Sequence, residues 1–162
     1  MNLLIREATP ADAASIHAAI LALGETLGTA KHIASTPDIF ARDGLAPGRA
    51  FEGLVAEVDG AFAGTCLYLS VYSTWLGRPG IYVQDLYVDE RFRGLKIGEA
   101  LIRRAARIGR ERGATHLRLA VDLDNTRAQA FYGRLGVTHY PDDRIHAAYG
   151  AAFDQLSQED ER

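Results

Sequence analysis

A chain of 162 residues, 48% hydrophobic and 24% charged, has the make-up of one soluble globular domain spanning residues 1–162 and is long enough to bury a substantial core. Its formal net charge of −3 argues against a nucleic-acid partner, which selects a basic footprint, and no apolar run reaches membrane-spanning length, which argues against a membrane partner. The single cysteine, Cys66, excludes an internal disulfide and a cysteine-based zinc site, and the start MNLLIREATPAD lacks the long apolar core of a signal peptide, so a reducing cytoplasm is the expected compartment.

Leu3 to Glu7 reads as a short strand. Thr9-Pro10 then opens a helix, with threonine as N-cap and proline at the first helical position, and Ile16, Ile20, Leu23 and Leu27 mark its apolar side. Thr26 to Arg49 is irregular, with a short helix over Ile39 to Asp43 after Ser35-Thr36-Pro37-Asp38, and breaks at Gly44, Pro47 and Gly48. Phe51 to Val58 and Ala61 to Val71 are apolar strands joined at Asp59-Gly60, a two-residue hairpin signal. Cys66, inside the second of them, reads as a small core residue. Trp75 sits in the turn from Tyr72 to Gly80, where it either covers a core edge or lines a ligand pocket.

The stretch IYVQDLYVDERFRGLKIGEAL is the centre around which the chain is organised. Ile81 to Val88 alternates as a strand. A basic, glycine-bearing turn comes next, and Ile97, Leu101, Ile102, Ala105 and Ile108 recur at helical spacing. A helix start offers unpaired N–H groups and the positive end of a dipole, so such a turn suits a phosphate or pyrophosphate. Neither GxxxxGK[ST] nor GxGxxG is present. The helix ends near Glu111-Arg112-Gly113. Thr115 to Val121 is a further strand, placed parallel to Ile81–Val88 by the strand–helix–strand order. Asn125 can cap a helix carrying Ala128, Phe131, Tyr132 and Leu135, and Gly136 ends it. Arg144 to Tyr149 reads as a final strand, Gly150 to Leu156 as a short helix, and SQEDER as a charged, fraying end. His139 and His146 are spaced for no metal site. The sum is an α/β fold with one mixed sheet and helices laid against it.

Arg93, Ile97 and Gly98 match motif A of the GNAT superfamily of N-acetyltransferases, [RQ]-x-x-G-x-[GA], with Lys96 in place of the central glycine. Asn125, Ala128, Phe131, Tyr132 and Gly136 fit its motif B, N-x-x-[AS]-x-x-[FL]-Y-x-x-x-G, at the family's distance from motif A. The chain thus resembles that superfamily. The resemblance implies a mostly antiparallel twisted sheet of about six to seven strands with helices on both faces, and acetyl-CoA as co-substrate with no metal. It implies that the turn of Arg93, Gly94, Leu95, Lys96, Ile97 and Gly98 wraps the coenzyme pyrophosphate, where Lys96 points outward or adds a phosphate contact. Leu86, Tyr87, Val88, Asn125 and Tyr132 complete the expected coenzyme contacts.

Within the superfamily FARDGL, LVAEVDG, YSTWLG, YVQDLYV, RFRGLKIGEAL and NTRAQAFYGRLG look like the diamine, polyamine and thialysine acetyltransferases, a subfamily commonly dimeric. Glu25, Trp75, Gln84 and Asp85 fall at its acceptor-side positions. Gln84 replaces a glutamate found in many members, which weakens the case for a long polyamine and favours a smaller or singly charged amine. The implied reaction is direct attack of a primary amine on the thioester in a ternary complex. Tyr132 is the expected general acid, and Glu25 or Asp85 either takes the amine proton through water or binds an ammonium. Backbone N–H groups from Leu86 to Val88 orient the acetyl carbonyl. Acetylation of a protein N-terminus or lysine, and a noncatalytic acyl-CoA-binding module, are the alternatives.

Overall fold

Runs of β-branched and aromatic residues become five strands: β1 (Leu3–Glu7), β2 (Glu52–Val58), β3 (Ala61–Ser73), β4 (Arg78–Val88) and β5 (Leu117–Leu119). They form one sheet in the order β1-β2-β3-β4-β5, antiparallel except for the parallel β4–β5 pair. The computed structural model describes residues 1–158. The chain divides by its internal contacts into two compact units, Met1–Asp122 and the part from Leu123 onward, each described by itself.

In the first unit the β2–β3 hairpin turns on Asp59 (φ +49°) and Gly60 (φ +81°), the double positive φ that an Asp-Gly pair tolerates. Helices α1 (Ala13–Thr26), α2 (Pro37–Asp43) and α3 (Ile97–Glu111) cover the sheet. The Pro10–Asp12 segment before α1 is a 3-10 turn, and the Asp12 carboxylate accepts the Thr9 N–H. Thr36 caps α2 by accepting the Ile39 N–H.

Strand alternation sends Val55 and Leu67 to one face, where they close a core with Ile16, Ile20, Phe40 and Leu45. The opposite face takes α3, whose buried stripe is Ile97, Leu101, Ile102, Ala105 and Ile108. Gly109 lies so close to the sheet that a Cβ there would run into Ile81. Leu54, Ile97 and Leu101 are at most 1% exposed, and each such side chain contributes about 1.5–3 kcal/mol of burial.

The second unit holds α4 (Thr126–Arg134) and α5 (Ala151–Leu156). The strand expected over Arg144 to Tyr149 is not formed there, so the sheet has five strands among the described residues rather than six to seven. Ile145 and Tyr149 are exposed; alternation in sequence gives a strand only where a neighbouring ladder takes up its N–H and C=O groups. β5 is likewise shorter than the expected Thr115 to Val121. Of the charged end SQEDER, Glu159 to Arg162 lie outside the described residues.

Candidate active site

The site begins where two strands part. β4 and β5 pair only at Ile81–Leu117, Tyr82–Arg118 and Val83–Leu119, while β4 runs on to Val88. Gln84 to Val88 therefore have an open edge on that side among the described residues. On its other side β4 follows β3 with a bulge. Asp85 pairs with Leu67 and Val83 with Tyr68, so that Gln84 is the extra residue, and a bulge of this kind re-aims neighbouring groups. The Asp89 N–H donates to Ala63 O at 2.9 Å on the β3 side. Alternation then turns the N–H groups of Leu86 and Val88 away from β3, toward the open edge. These two N–H groups can hold an oxygen that gains negative charge.

The strand ends in the basic turn. Glu90–Phe92 is a 3-10 turn. Arg91 grips Asp89 with two hydrogen bonds, at 3.0 and 2.7 Å, which hold the Asp89 carboxyl below the usual carboxylate range. Arg93 pairs with Glu90 at 2.9 Å. Gly94 has φ +83° and Lys96 φ +58°. Lys96 is the residue from which α3 starts, and no side chain caps that start. The N–H groups of the first turn, at Ile97, Gly98 and Glu99, thus have no cap oxygen, and the dipole adds positive potential. Lys96 is exposed and makes no ion pair among the described residues. The left-handed backbone at this position gives the physical reason that a glycine suits it.

On the α1–α2 face of the sheet, a cleft of about 280 Å³ opens beside the bulge, lined by Phe40, Phe51, Leu67, Leu69, Gln84 and Asp85. Asp85 shares a face with Leu67, its partner across β3. Burial pushes the Asp85 carboxyl above its ordinary value, which makes it a better proton acceptor near neutral pH. The rings of Phe40 and Phe51 meet edge to face at 5.3 Å between centroids. Beneath the sheet Cys66 is fully buried, and burial pushes its thiol up to about 12; it remains a protonated core residue, unsuited to carrying an acyl group.

Of the residues expected at the acceptor side, Gln84 and Asp85 line the cleft together. Glu25 is exposed near the end of α1 and does not line it. Trp75 is 99% exposed at the tip between β3 and β4. Arg78 and Asp85 are seven positions apart on β4, roughly 20 Å of strand, so Trp75 stands well away from the cleft within this chain. Asn125 accepts the Ala128 N–H at 3.1 Å and so caps α4. Tyr132 lies on the same helix, its ring at 5.0 Å from that of Phe131. Phe40, Phe51, Leu67 and Leu69 were not singled out by sequence. The one signal in the sequence was Phe40, an aromatic in the short helix that Thr36-Pro37 opens.

The profile of the acetyltransferase (GNAT) family matches residues 23–137. The chain belongs to the GNAT family of acetyltransferases. It is 34% identical over 143 residues to thialysine N-epsilon-acetyltransferase of Sus scrofa, a match covering 83% of this chain and 84% of that one. Among solved structures it is similar to an integron cassette protein from the mobile metagenome of V. cholerae, with a TM-score of 0.80 at 17% identity, covering 98% of this chain and 99% of that one. An aminoglycoside N-acetyltransferase solved in complex with CoA has the same fold at a TM-score of 0.73 and 16% identity, covering 93% and 95% of the two chains. The chain is thus an enzyme of the acyltransferase class with a mixed, mostly antiparallel GNAT sheet.

Proposed function

We propose that this acetyltransferase moves an acetyl group from acetyl-CoA to the primary amine of a small molecule, by direct attack in a ternary complex. One observation carries the reading. A single piece of strand, Gln84 to Val88, presents open-edge N–H groups, a half-buried carboxylate in an apolar cleft, and a turn into an uncapped helix start. The thialysine acetyltransferase relative supports a small-molecule acceptor, and diamines, polyamines and amino-acid-like amines are the chemistries that the resemblance offers.

The residues fit the co-substrate. First-turn N–H groups without a cap oxygen, next to an exposed Lys96, suit a pyrophosphate; we assign Arg93, Gly94, Leu95, Lys96, Ile97 and Gly98 to it. The Leu86 and Val88 N–H groups, flanking Tyr87, take the acetyl carbonyl oxygen. Asp85 removes the amine proton, directly or through one water, as the new C–N bond forms and the C–S bond breaks. Tyr132 returns a proton to the leaving sulfur; its place in motif B supports that role, and Asn125 supports the same helix. Glu25 and Trp75 remain proposed acceptor-side residues on the resemblance alone. The resemblance also favours one functional domain over residues 1–162, a homodimer and a cytoplasmic setting.

The test is acetyl-CoA consumption, read as free thiol, against a panel of small amines and short peptides, with Tyr132→Phe beside the wild type. Turnover on a small amine, lost in Tyr132→Phe with coenzyme binding kept, is the expected result. Peptide-only turnover refutes the acceptor class, and full turnover by Tyr132→Phe removes that residue from the chemistry.

A further inference from the structure

We infer that the preferred acceptor is a monoamine with an apolar body, and that Phe40, Phe51, Leu67 and Leu69 select it against diamines and polyamines. This rests on reading the Asp85 cleft as the acceptor site. The cleft has one carboxylate. Its remaining lining is two aromatic rings, two leucines and the neutral Gln84. A volume of about 280 Å³ corresponds to about nine waters of liquid, room for an amine with a short alkyl or phenyl body.

An ammonium anchored at Asp85 places its carbon chain against the Phe40–Phe51 edge and the leucines. There apolar atoms gain burial, whereas a second ammonium loses its hydration without a partner. The next cleft, which shares Phe51 and Leu69 with the first, gives that second charge no better place. It holds Arg49, Arg112 and Glu52, and Glu52 is already gripped by Arg112 at 2.5 and 2.9 Å. Two guanidinium groups against one paired carboxylate repel a cation. Charge and polarity therefore agree in the two neighbouring clefts.

The test compares kcat/KM for hexylamine and phenethylamine with that for hexamethylenediamine and spermidine, at fixed acetyl-CoA, in the wild type and in Gln84→Glu. Gln84 is the exposed bulge residue, so the variant adds a carboxylate without touching the core. The expected result is a preference for the monoamines of roughly tenfold or more, carried mainly by KM, that shrinks markedly in Gln84→Glu. Equal or better use of the diamines by the wild type overturns the inference and leaves small-amine acetylation standing. A preference unmoved by Gln84→Glu shows that this cleft does not select the acceptor, and also overturns it. Turnover on neither class, with coenzyme A still bound in a titration, removes the acceptor assignment and the inference with it.

Discussion

Lys96→Gly isolates the strain at the start of α3. Lys96 holds φ +58° and ψ +22°, a conformation that costs a residue with a Cβ about 1–2 kcal/mol. Its charge also sits at the positive end of the helix dipole, an unfavourable placement of about 0.3–1 kcal/mol. Glycine removes both costs but gives back about 0.5–1 kcal/mol through the freedom it adds to the unfolded chain. The net is a gain of about 1 kcal/mol, or about 3 °C in Tm for a chain of this size. Lys96→Ala keeps the strained backbone and removes only the charge, so it gains less. Thermal unfolding of the three proteins without ligand measures the difference. A glycine variant no more stable than the alanine variant refutes the argument from backbone strain. Coenzyme A titration of the same variants reads the ammonium: a phosphate contact from Lys96 weakens binding in both alike.

Asp85→Asn lowers thiol-release activity by about 10²–10⁴-fold if the carboxylate takes the amine proton, and it also changes stability with a defined sign. Because burial raises the folded-state pKa of Asp85, the stability of the wild type is fully present below the ordinary carboxylate value and falls as pH rises through the folded value. The asparagine variant is therefore the more stable protein at neutral pH, and the two converge in acid; a Tm difference that does not vary with pH contradicts this. Asn125→Ala costs about 1 kcal/mol by removing the α4 cap, whereas Asn125→Ser keeps most of it, as urea unfolding of the two variants will show. Leu101→Ala, at a fully buried position of α3, costs about 2–5 kcal/mol, seen as a lower urea midpoint at unchanged slope.

Much of the first unit was legible because its signals are local. Asp59-Gly60 specifies its own turn, Thr36-Pro37 its own helix start, and the spacing of Ile97, Leu101, Ile102, Ala105 and Ile108 its own buried stripe. Arg93 and Gly98 marked the turn, and the place of Lys96 at a glycine position was visible; that its backbone is left-handed was not. The strand expected over Arg144 to Tyr149 failed because alternation states which residues suit a ladder, and a ladder needs a neighbour that the segment does not contain.

The sequence by itself determined the family motifs, the order of strands and helices in the first unit, and the residue types available for chemistry, since each is written in spacings of a few residues. Tertiary structure alone decided which of them meet. It ended the β4–β5 pairing at Val83 and Leu119, inserted Gln84 as a bulge, and brought Phe40 and Phe51 from distant parts of the chain to the walls around Asp85. It also left Glu25 and Trp75 off the cleft wall. A cleft is a property of packed surfaces, and its residues share no pattern along the chain because packing, not spacing, selects them.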